Sequence, residues 1–202
     1  MLSTKLFTLT SLLAPLALAV PSDGTPRQAV PVVTLTLIAA HSTSPIHHQP
    51  IAASNETFYI GKDTTSYCPQ EEVGACPVGN VTSVVVGGGE GASMNVEVPG
   101  GQTVYVLPTG ALAFTPAHGE GEVSVNNGTT NGFSYTSGVN GHPGQFRFQG
   151  WSWFACPVMG ATENAGPWQV FADVPGSDVR GCIGFNALGT PYTQGVAAWE
   201  YE

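Results

Sequence analysis

From Val32 onward, hydrophobic and polar residues alternate with a period of two, the signature of a strand with one face buried. Val33, Leu35 and Leu37 alternate with Thr34 and Thr36, and Met94, Val96 and Val98 with Asn95 and Glu97. Phe58-Tyr59-Ile60 and Val81 to Val86 are short runs of β-branched or aromatic residues. Val104-Tyr105-Val106 and Ala111 to Phe114 flank Pro108-Thr109-Gly110, which predicts a hairpin. Pairs at spacing two recur at Val123 and Val125, Phe133 and Tyr135, Phe146 and Phe148, and Trp151 and Trp153. Trp168 to Phe171 is the last strand this pattern predicts. No helical period longer than two turns interrupts the series. The expectation is one all-β domain over residues 32–202, an antiparallel sandwich or a closed barrel. A β-trefoil would need a threefold repeat, and none is visible.

The N-terminus reads differently. Met1 to Lys5 carries one positive charge, and Leu6 to Leu18 is apolar apart from Thr8, Thr10 and Ser11. That run is too short to span a bilayer, and Ala17-Leu18-Ala19 supplies a small-x-small cleavage site. Residues 1–19 are therefore expected to be a signal peptide, with Val20 as the first mature residue. Residues 20–31, with prolines at 21, 26 and 31, read as a leader or pro-segment without a core of its own. No apolar tail at Ala197 to Glu202 matches a lipid-anchor signal, so the expectation is a secreted protein that no lipid holds.

Composition narrows the partners. Five basic residues face fourteen acidic ones, and loss of Lys5 with the signal leaves four against fourteen, a net −10. That charge argues against nucleic acid and anionic membranes as partners. Three sequons, at Asn55, Asn80 and Asn127, agree with a secretory route. Four cysteines on such a route read as disulfides, since neither Cys68 and Cys76 nor Cys156 and Cys182 has zinc-pair spacing. Three connectivities are open. Local pairing, Cys68 with Cys76 and Cys156 with Cys182, is the simplest and is expected. Pro follows three of the four cysteines, which favours extended segments.

Candidate chemistry is sparse. His41, His47 and His48 lie close in sequence, but adjacent histidines rarely share a metal and a third ligand is missing. They are read as an exposed loop, as are His118 and His142, and no metal or cofactor is expected. No Gly-x-Ser-x-Gly elbow occurs. Glu120 and Glu122 sit two apart between glycines and read as a solvated turn rather than a hydrolytic pair. Gly87-Gly88-Gly89 lacks the Lys-Ser and the helix of a phosphate loop and reads as a turn. Aromatic residues are the one alternative to a purely structural role. Trp151, Trp153, Trp168 and Trp199 crowd the last third of the chain, and Trp151 with Trp153 would share a face. That face fills the core or, if exposed, stacks on sugar rings.

The chain also resembles a family. Ser44-Pro-Ile-His47, Phe58-Tyr-Ile-Gly61, Tyr67-Cys-Pro69 and Ala75-Cys-Pro77 with Gly79-Asn-Val-Thr82 are similar to segments of the fungal cell-wall PhiA proteins. So are Asn95-Val-Glu-Val-Pro-Gly-Gly-Gln102, Val104-Tyr-Val106, Pro108-Thr-Gly-Ala-Leu112 and Ala155-Cys-Pro157. Trp168-Gln-Val-Phe-Ala172, Cys182-Ile-Gly-Phe185 and Ala197-Ala-Trp199 complete the likeness, which runs in order from about residue 32 and includes all four cysteines. It does not extend to residues 119–144 or to the leader. The resemblance implies a secreted, wall-associated, non-enzymatic protein of filamentous fungi. It further implies a role in phialide and conidium formation, protection under stress, and IgE-binding allergens among its members. No catalytic residue carries over. A wall polysaccharide is the expected partner, through non-covalent contact; a glycan-binding module and, behind it, a hydrolase or metal-dependent oxidase are the alternatives.

Overall fold

The computed structural model describes residues 31–202 except 90, 120, 162 and 163. The expected signal peptide, the expected leader up to residue 30 and Glu120 thus lie outside the described residues.

The alternation at the start of the domain becomes β1 (Val33–Ala40), with Leu35, Leu37 and Ala39 buried and Thr34 and Thr36 on the other face. A hairpin follows, β2 (Ile51–Ser54) and β3 (Thr57–Ile60), turned by Asn55 and Glu56 at φ 49° and 57°. Next come β4 (Ser66–Tyr67), the single helical turn α1 (Gln70–Val73), β5 (Val84–Val86) and β6 (Ala92–Met94). The hairpin expected around Pro108-Thr109-Gly110 is formed by β7 (Thr103–Val106) and β8 (Leu112–Phe114). Gly110 is required there: its φ is 90°, and a Cβ would lie 2.5 Å from the Ala172 carbonyl oxygen. The chain continues through α2 (Glu122–Val125), β9 (Phe133–Thr136), β10 (Gly144–Phe148), β11 (Trp153–Pro157) and β12 (Trp168–Ala172). It ends with β13 (Ile183–Pro191) and β14 (Glu200–Tyr201).

Twelve of these strands form one antiparallel sheet, and its pairings run in a circuit. Starting from β1, the neighbours are β5, β6, β7, β8, β3, β12, β11 and β13, and β13 pairs with β1 again through Leu37↔Gly189. β2 flanks β3, while β10 and β9 extend from β13. Residues of nearly every strand meet in one buried cluster inside this circuit. Aromatic rings fill much of it. Phe146 stacks on Trp153 at 5.5 Å and on Phe133 at 5.7 Å, and Phe58 meets Phe114 edge-on at 5.5 Å. β4 and β14 make a separate two-stranded sheet beside it.

Both local disulfides are formed, Cys68 to Cys76 and Cys156 to Cys182. The alternation of Met94, Val96 and Val98 is a strand only as far as Met94, with Val96 on an isolated bridge to Ala198. Two further strand expectations are corrected. Val123 and Val125 do not lie on a strand but in α2, where Val125 is 80% exposed. Local bonds satisfy that backbone, Asn126 N–H to Glu122 O at 2.9 Å and Gly128 N–H to Val123 O at 2.8 Å, so no ladder is needed. The pattern also stops two strands early, before β14 and the longest strand of the sheet, β13. Its Gly184, Asn186, Gly189 and Pro191 have low strand propensity, and pairing with three neighbours overrides it.

Candidate functional site

Two of the clefts among the described residues bring together histidines or carboxylates with residues far apart in sequence. The first lies where the end of β1 meets β13 and β11. It has a volume of about 460 Å³ and is bordered by His41, His47, Phe154, Gly184 and Asn186. The loop after β1 shapes one wall. There His41 Nδ1 bonds the Gly184 carbonyl, and the His41 N–H donates to His47 Nδ1 at 3.2 Å. His47 in turn stacks on His48 with ring centres 3.8 Å apart. Ile46, fully buried between them, anchors this otherwise exposed loop. The histidines therefore occupy an exposed loop, as expected, but an ordered one.

The second cleft, about 630 Å³, opens between the β2–β3 turn and β14. Asn55 and Glu56 line one side, Glu200 and Glu202 the other, with Pro116 and Tyr201 between. Burial pushes the Glu200 carboxyl above its ordinary value, and the Glu202 charge adds to this, while His118 opposes it. Tyr201, which lines this cleft, belongs to a closed polar network. The Tyr201 hydroxyl donates to Val81 O at 2.7 Å and accepts from the Ser83 N–H at 3.1 Å. Gln102 donates to Thr115 O and Tyr201 O, both at 2.9 Å, and accepts from the Tyr201 N–H at 2.8 Å. Burial also pushes the Tyr201 phenol up. This carboxylate grouping escaped sequence reading because Glu56 and Glu200 are brought together only by the fold.

The tryptophan face needs correction. Trp153 is 2% exposed, and its indole N–H donates to Phe146 O at 2.8 Å, so its ring belongs to the core and cannot stack on a sugar. Trp151, two residues earlier, is 43% exposed. The reason is a turn: Gln149 and Gly150 have φ of 48° and 76°, and the Trp151 N–H closes onto Phe148 O at 2.8 Å. Trp151 is therefore not on the strand that the spacing presumes. Glu122 opens α2, and its neighbour two residues back, Glu120, lies outside the described residues. The sequon side chains of Asn55, Asn80 and Asn127 are all exposed. Among the described residues, no three His, Cys, Asp or Glu side chains converge to hold a metal ion. No helix among them is long and apolar enough to cross a membrane.

Residues 35–202, which include the circuit of strands, both clefts and both disulfides, match the PhiA-like secreted protein family. The chain belongs to this family. A relative from Arthroderma benhamiae, described as an uncharacterized secreted protein, is 38% identical over 162 residues, which cover 75% of this chain and 77% of the relative. No solved structure matches the chain. The PhiA-like protein is thus secreted, in keeping with its two disulfides.

Proposed function

We propose that this PhiA-like protein is a non-enzymatic component of the fungal cell wall, held there by non-covalent contact with wall polysaccharide. In this reading it serves the formation of phialides and conidia and protects the wall under stress. The observation that carries the proposal is the family match across residues 35–202, which takes in the whole disulfide-linked sheet. Composition supports it: with charged residues at 9%, the surface is covered mainly by uncharged polar groups and glycine, suited to hydrated glycan. The acidic excess adds ionic attraction to deacetylated chitin, which salt should weaken. Glycans at Asn55, Asn80 and Asn127 belong to the same proposal.

The test is a deletion strain complemented with variants, combined with cell-wall fractionation. Deletion is expected to reduce phialides and conidia while hyphal growth continues, and hot detergent or salt should release the protein from walls. Single replacement of His48, Glu120 or Glu122 should restore conidia. A variant of one of these three that accumulates in the wall yet fails to restore conidia would show that an active site exists.

A further inference from the structure

We infer that the cleft beside His41, together with the exposed Trp151 ring next to it, is a binding site for a neutral oligosaccharide of β-linked pyranose rings with equatorial substituents. The wall-component reading supplies the choice of ligand; the groove itself follows from strand register. Along β13 the buried side chains are Phe185 and Ala187, so Gly184 and Asn186 face outward. Pairing sets Ala40 opposite Asn186 and Phe154 opposite Gly184 on that outer face. Ala40 carries only a methyl group and Gly184 none, the Phe154 ring lying 3.5 Å from where a Gly184 Cβ would stand, and the 460 Å³ cleft opens over them. Its volume is that of a small-ligand site.

Trp151 stands next to the cleft. Ser152, Phe185 and Asn186 border the cleft and also a void of about 10 Å³ that Arg147 and Trp151 line, which sets the indole beside the cleft without lengthening it. Trp151 stands at 43% exposure on a tight turn closed by its own backbone hydrogen bond. Phe133, Phe146, Phe148 and Trp153 already fill the core beneath, so packing does not require this ring outside. A fixed, exposed indole beside a polar groove matches a ligand with one apolar face and a rim of hydroxyls.

The polar groups offer both halves of the hydrogen bonds such a rim needs. His41 Nδ1 bonds a carbonyl oxygen and so carries the proton, which makes its Nε2 an acceptor in the neutral ring. His47 Nδ1 accepts a backbone N–H, which makes its Nε2 the donor. The Asn186 side chain is exposed and supplies a donor and an acceptor from one amide. Together with the acidic net charge, this favours a neutral glycan over an acidic one.

The experiment is calorimetric titration of the secreted, disulfide-intact protein with a β-1,3-glucan hexasaccharide and, separately, a chitin hexasaccharide. Binding of at least one is expected, and which one binds identifies the polymer. Trp151→Ala should weaken the affinity about tenfold. Ala40→Trp, which fills the outward-facing floor, should abolish binding, and Met159→Ala, fully exposed elsewhere, should change nothing. Unchanged thermal midpoints would show that all three variants are folded. The inference is overturned if the wild type binds neither sugar, or if Trp151→Ala and Ala40→Trp bind as it does. Wall fractionation separates this from the broader reading: protein retained in walls without binding either sugar removes the groove alone. Protein that binds a sugar but is absent from walls removes the wall role and leaves the groove.

Discussion

The two disulfides close segments of the same protein that differ in almost everything else. The Cys68–Cys76 segment has hardly any core. Its helix α1 buries no side chain, has no side-chain cap and follows Tyr67, which is half exposed. It is tied down mainly by backbone: Tyr67↔Glu200 and Ser66↔Tyr201 in the small sheet, the Gly79 N–H to Ala197 O at 3.0 Å, and Ser66 Oγ to Gly79 O at 2.8 Å. Cys156, by contrast, lies within β11, whose Trp153 and Ala155 are buried, and Cys182 directly precedes β13. One cross-link stands in for packing that is missing; the other reinforces packing that is already there. The cross-link alone therefore does not say how much a segment depends on it.

The largest effect should come from the packed side of this comparison. Trp153→Ala removes a ring stacked on Phe146 and a buried hydrogen bond, and should cost about 3–5 kcal/mol. Trp151→Ala, on the exposed turn, should change denaturant midpoints little. A loss of equal size for both would mean that the residue 149–152 turn is part of the core.

The disulfides themselves come next. Loop-closure entropy assigns about 3.6 kcal/mol to Cys156–Cys182 and about 2.6 kcal/mol to Cys68–Cys76. Cys156→Ser with Cys182→Ser should lower the global midpoint, because β11 and β13 belong to the main cooperative unit. Cys68→Ser with Cys76→Ser should instead accelerate hydrogen exchange over residues 66–79 while the amides of β11 to β13 stay protected. If opening Cys68–Cys76 exposed both regions equally, the small sheet and the closed circuit would be one unit and the contrast would fail.

Much of the packed side was legible in the sequence. Leu35 and Leu37 alternate with threonines because only one face of β1 meets the core, and Pro-Thr-Gly marks a turn that only glycine can close. The pairing of cysteines was legible too, since short closures suit a chain of hairpins. What escaped depends on long-range contact. β13 is rich in residues that disfavour strands and exists because β1, β10 and β11 pair with it. His41 meets Gly184, and Glu56 comes to line one cleft with Glu200, only in the folded chain, so neither cleft has a local signal. Trp151 and Trp153 show the limit of a period-two rule: it holds along a strand, and Gln149 and Gly150 place Trp151 on a turn instead.

The smallest expected effect probes the weakly packed side through its own carboxylate. Glu200 lies on β14, opposite Tyr67 of the cross-linked segment, and its folded-state pKa is raised, first by burial and then by the Glu202 charge. A raised carboxyl holds its proton more tightly in the folded chain than in the unfolded one. Stability from this group is therefore fully present below the unfolded value and declines as pH rises through the folded value. Above that window the ionised side chain is a constant cost, kept below about 1 kcal/mol by its partial exposure. Glu200→Gln imitates the protonated form at every pH. It should raise the thermal midpoint slightly near pH 7 and leave it unchanged near pH 3, where the carboxyl is protonated in both states. An equal gain at both pH values would mean that the amide improves packing or hydrogen bonding in the cleft. A loss near pH 7 would mean that the ionised carboxylate is stabilised there, by His118 or another donor, more than burial opposes it.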